Sequence, residues 1–116
     1  MAIEYPNTNL YIDGKWRPAV TGETLDVINP ATEEVIGQVA RAQHADLDEA
    51  LEAADKAFAG WKKTTPLDRY RILRKAADLL RERASMIAEV MTTEQGKPLA
   101  EAKGETLMGA DRIDWM

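Results

Sequence analysis

The residues of this chain that could do chemistry are few and scattered. There is no cysteine, and His44 is the single histidine, so the chain can assemble neither a thiolate nucleophile nor a thiolate or two-histidine metal site. His44 stands just ahead of a helical pattern and reads as a surface or capping residue rather than a general base. Ser85 lies inside a helical pattern and outside any Gly-x-Ser-x-Gly elbow, the sharp turn that presents a nucleophilic serine. The glycines at 14, 22, 37, 60, 96, 104 and 109 form neither Gly-x-Gly-x-x-Gly nor a P-loop, and so build no backbone cradle for a phosphate. Glu101/Glu105 and Asp111/Asp114 recur at helical spacing and could be imagined as acid/base pairs, but exposed carboxylates on a helix are the stronger reading. Trp16, Phe58, Trp61 and Trp115 read as packing anchors rather than as a ligand box. Taken by themselves, these residues describe a scaffold without a catalytic, cofactor-binding or metal centre.

The elements that must carry them are clearer. Thr65-Pro66-Leu67-Asp68 is a helix start: Thr65 caps the free N–H groups, Pro66 sits where a missing N–H costs nothing, and Asp68 completes a capping box. Leu73, Ala76, Ala77, Leu80, Ala84, Ile87, Ala88 and Met91 then recur at steps of three and four, one face of a helix. Gly96 can take the left-handed conformation that ends it, Lys97 suits the negative end of the dipole, and Pro98 cannot continue it. A helix of roughly thirty residues is about 45 Å long, against a diameter of roughly 35 Å for a compact domain of this length. The spacing therefore predicts either an elongated helical hairpin or, as favoured here, a helix shaped to lie across a larger body.

On the amino-terminal side, residues 1–9 read as a loosely attached lead-in. Asp13-Gly14 between Leu10-Tyr11-Ile12 and Lys15-Trp16-Arg17 predicts a two-residue type I′ hairpin. Residues 24–28 and 35–40 read as two further strands, with Val35, Gly37 and Val39 on one face, and the first forty residues as one small antiparallel sheet. From Asp46, the positions Leu47, Ala50, Leu51, Ala54, Phe58 and Trp61 follow helical spacing, with Asp46, Asp48 and Glu49 near the positive end of the dipole. A third helix opens at Pro98 and runs through Leu99, Ala102, Thr106, Leu107, Ala110, Ile113 and Trp115, with no terminating signal after it. The expected fold class is α+β: an antiparallel β segment over residues 1–40, then three helices over 41–116, one very long.

Composition bounds the partners. With 45% hydrophobic and 30% charged residues, the chain is globular material holding one modest core. No stretch approaches the roughly twenty apolar residues of a membrane span, and no signal peptide is evident; a soluble, cytoplasmic protein is expected. The net charge is −5, yet Lys62, Lys63, Arg69, Arg71, Arg74, Lys75, Arg81 and Arg83 outnumber Asp68, Asp78 and Glu82 between them by five, leaving −10 elsewhere. Without interleaved aromatics that stripe reads as the solvated back of a helix, not a nucleic-acid surface.

The stretch Glu94-Gln95-Gly96-Lys97-Pro98-Leu99-Ala100-Glu101-Ala102-Lys103-Gly104-Glu105 resembles the amino-terminal portion of the NAD(P)-dependent aldehyde dehydrogenase superfamily, closest to its succinate-semialdehyde dehydrogenase branch. Tyr11 to Trp16, Val27 to Thr32, Ala57 to Trp61, Arg69 to Leu80 and Ile113 to Trp115 carry the same resemblance, in order along nearly the whole chain.

The resemblance implies that these residues are part of the α/β aldehyde dehydrogenase fold, within its coenzyme-binding domain. It implies a homo-oligomeric parent that oxidises an aldehyde, succinic semialdehyde by this branch, with NAD or NADP through a cysteine thiohemiacetal. The family's catalytic cysteine, glutamate and asparagine and its main coenzyme contacts match nothing in these 116 residues, so this chain alone is expected to be inactive. Two positions carry over: Ile28 and Glu94 match a segment and an acidic residue through which some members bind a structural monovalent cation, although many have Asp at the second. The last helix is placed near the substrate entrance, where the small Gly104 would widen the approach. A stand-alone helical protein-interaction module derived from that fold is the alternative.

Overall fold

Asp13 and Gly14 take φ values of 50° and 74°, the pair of positive angles a type I′ turn requires, and they join β1 (Leu10–Ile12) to β2 (Lys15–Arg17) as the dipeptide predicts. Tyr11 faces Trp16 across this hairpin, with ring centroids 5.0 Å apart and planes tilted by 52°. The computed structural model describes residues 5, 6 and 8–116. The protein is α+β, with two further strands and four helices among the described residues. β3 (Thr24–Ile28) and β4 (Val35–Ala40) pair antiparallel, with a bulge between Val27 and Ile28.

The described residues up to Ala40 do not form the one sheet that the spacing predicts for the first forty. β1–β2 and β3–β4 are separate two-stranded sheets, because Pro18 to Glu23 turns the chain away before a third strand can join the hairpin. Nor is the lead-in wholly loose. Residues 1–4 and 7 lie outside the described residues, but Thr8 forms a parallel bridge with Val39, donating its N–H to the Gln38 carbonyl at 3.0 Å and accepting from Ala40 N–H at 2.8 Å. The Tyr5 ring lies over Gly37 so closely that a Cβ there would stand 2.2 Å from Tyr5 Cδ1.

β4 ends at Ala40, and α1 (His44–Trp61) follows where the hydrophobic period changes from two to 3.6. The described residues up to Ile28 and Val35–Lys63, hence β1 to β4 with α1, make one compact unit. Asn29–Glu34 and Thr64–Met116 make the other.

In that second unit the predicted long helix is two helices, α2 (Pro66–Glu82) and α3 (Ala84–Gln95). Arg83 between them has φ −96° and ψ 5°. No glycine or proline marks the break. The backbone bonds on either side persist, from Arg83 N–H to Leu79 O and from Ile87 N–H to Arg83 O, both 3.0 Å, so the ladder runs on past the one residue that leaves helical dihedrals. On either side of it, α2 and α3 both pack on α4 (Leu99–Trp115).

Both predicted ends hold. Thr65 Oγ1 accepts from Asp68 N–H at 3.1 Å; the Asp68 carboxylate accepts the Thr65 hydroxyl at 2.7 Å rather than the backbone N–H of a capping box. Gly96, at φ 73°, closes α3 through its N–H to Thr92 O at 2.8 Å. Pro98 is the residue before α4, with ψ 135°, and not its first turn.

The core of this unit is made of small side chains. Ala77, Ala84, Ala88, Ala102 and Ala110 are almost wholly buried, which lets the helix backbones approach closely. The larger members of the predicted stripe, Leu73, Leu80, Ile87 and Met91, are half-buried. Leu99, Leu107 and Trp115 of α4 are exposed. So are the supposed packing anchors Trp16, Phe58 and Trp61: alanine supplies the contact surface, and the large side chains project from it.

Candidate functional site

Two charged clusters, one in each compact unit, are the most organised polar features of the described residues. The first is centred on Asp46, in the first turn of α1 and only 1% exposed. Its Oδ1 accepts from Arg17 Nη1 at 2.8 Å and from Val20 N–H at 3.0 Å, and its Oδ2 accepts from Gln43 N–H at 2.9 Å. Arg17 reaches there because β2 ends at this residue and the chain then turns at Pro18; its second nitrogen, Nη2, donates to Glu49 one turn along α1 at 2.5 Å. The Gln43 N–H bond holds the Asp46 carboxyl below its ordinary range, opposed by burial and reinforced by Arg17 and Val20. A carboxylate so engaged is charged at neutral pH and is held in place by its donors. It ties the β1–β2 hairpin and the loop after it to the start of α1.

The second cluster joins α2 to α4. Arg81 Nη2 donates to Asp111 Oδ1 at 2.7 Å and to Asp114 Oδ2 at 2.5 Å. Arg74 stands 3.4 Å from the other Asp114 oxygen and 3.5 Å from Asp78. The hydrogen bonds that Arg81 donates to Asp111 and Asp114 raise its pKa further above an already high value, so it stays charged. The Asp111/Asp114 pair is therefore a docking point for arginines, not an acid/base couple. Glu105 pairs with Lys97, and Glu101 is exposed on α4.

The other sequence candidates are separate. His44 opens α1, exposed, beside a shallow cavity of about 330 Å³ with Ala42, Gln43 and Leu47. Ser85, in α3, is exposed and shares a smaller cavity of about 140 Å³ with Ala88, Glu89, Leu99 and Lys103. Ile28 ends β3 in the strand unit, and Glu94 lies in the last turn of α3 in the helical unit; both are exposed. Among the described residues, no group of three or more His, Cys, Asp or Glu side chains could hold a metal ion. Beside Gly104 a Cβ would meet nothing within 4 Å. No helix among the described residues is long and apolar enough to cross a membrane.

Sequence reading placed Asp46 at the helix start but missed its role. The one signal was an acidic residue three positions after Gln43, just before the apolar run; nothing local pointed to Arg17.

The geometry is that of a framework, and the comparisons say whose. Residues 16–116 match the aldehyde dehydrogenase family model. The chain is 49% identical over 105 residues to the glutarate-semialdehyde dehydrogenase of Pseudomonas putida, covering 90% of this chain and 22% of that protein. It is 40% identical over 104 residues to the succinate semialdehyde dehydrogenase of Acinetobacter baylyi, with 90% and 22% covered. The crystal structure of succinate-semialdehyde dehydrogenase from Burkholderia pseudomallei matches with a TM-score of 0.90 at 44% identity, over 93% of this chain and 22% of that one. The chain spans about 22% of the length of the curated relatives it matches. It belongs to the aldehyde dehydrogenase family.

Proposed function

We propose that this chain serves as the amino-terminal framework of a cytoplasmic, homo-oligomeric NAD(P)-dependent semialdehyde dehydrogenase, whose substrate is the semialdehyde of a short dicarboxylic acid, succinic or glutaric. The observation that supports it most strongly is the 49% identity to a glutarate-semialdehyde dehydrogenase over 90% of the chain. In such an enzyme a thiol would add to the aldehyde, the resulting thiohemiacetal would pass hydride to the nicotinamide, and water would release the acid. This chain has no cysteine. Its part is to hold elements in place: the Asp46 cluster fixes the hairpin to α1, and the Arg81 cluster fixes α2 to α4. Exposed apolar side chains such as Ile72, Leu107 and Trp115 are surfaces for the remainder of that fold. Ile28 and Glu94 would be contributors to a structural monovalent cation site of the complete enzyme.

A chimaera tests this reading: the matching residues of the Pseudomonas putida enzyme are replaced by this chain, and reduction of NAD and NADP is followed with succinic and glutaric semialdehyde. Activity within about tenfold of the parent, a loss below roughly 1.4 kcal/mol in the barrier, is expected. A soluble, folded chimaera with no activity on either substrate would overturn the proposal.

A further inference from the structure

We draw no further inference here: the strongest candidate, the open apolar cavity of about 340 Å³ where α2 meets α3, lined by Ala76, Leu79, Leu80, Arg83 and Ile87, lies on the surface of a chain that spans about 22% of its relatives' length, and nothing in the structure shows what covers it.

Discussion

Arg17 donates to Asp46 at 2.8 Å across 29 residues of sequence, and the same carboxylate takes the N–H groups of Gln43 and Val20. One side chain thus caps a helix, closes a loop and receives a strand end. Because Asp46 has a lowered pKa in the folded chain, the unfolded chain binds the proton more readily. Its contribution is complete above the ordinary value of 3.8 and disappears as pH falls through the folded value. Acid titration by circular dichroism should show the strand–α1 unit losing stability below about pH 4. Asp46→Asn should lower the melting temperature at pH 7 by roughly 5–10 °C and flatten the acid limb; an unchanged acid limb would remove Asp46 from this role.

Gly96 is constrained twice. Its φ is 73°, and a Cβ would stand 3.1 Å from Pro30 Cγ, in the turn between β3 and β4. Gly96→Ala should therefore cost about 1–2 kcal/mol in urea unfolding. Pro30→Ala would relieve the contact but not the backbone strain, so the double variant should recover only part of the loss.

Neighbouring positions on α4 should respond oppositely to the same enlargement. Ala102 is fully buried, whereas a side chain at Gly104 would enter open space. Ala102→Leu should cost about 1–3 kcal/mol by overpacking, while Gly104→Ala should stabilise by about 0.4–1 kcal/mol. Equal effects in denaturant titrations would mean that α4 does not present Ala102 to α2 and α3. By the same logic Leu80→Ala, at a half-buried site, should fall short of the 2–5 kcal/mol of a core leucine.

The purified chain should reduce neither NAD nor NADP with succinic or glutaric semialdehyde, because no thiol is present to form the covalent intermediate. Assays at 340 nm, with the mass of the polypeptide verified, check this. Thiol-alkylating agents should leave any residual rate unchanged if it arises from the chain itself.

Much of this protein is written in local order. The Asp13-Gly14 turn, the Thr65 cap, the Gly96 stop and the change of period after Ala40 are each decided within a few residues, by the φ angles a residue tolerates and the N–H groups a side chain can reach. For that reason the four strands and the outer ends of the predicted long helix stand where the spacing put them, and the family could be recognised from the same stretches. Three things were decided only by tertiary structure. The break at Arg83 has no glycine or proline to announce it, and it falls between two helices that both pack on α4. Burial went to Ala77, Ala88, Ala102 and Ala110 rather than to the leucines and tryptophans, because close-packed backbones leave room for a methyl group and turn larger side chains outward. And Asp46 became the centre of its unit through Arg17, a partner that only folding brings within hydrogen-bonding distance.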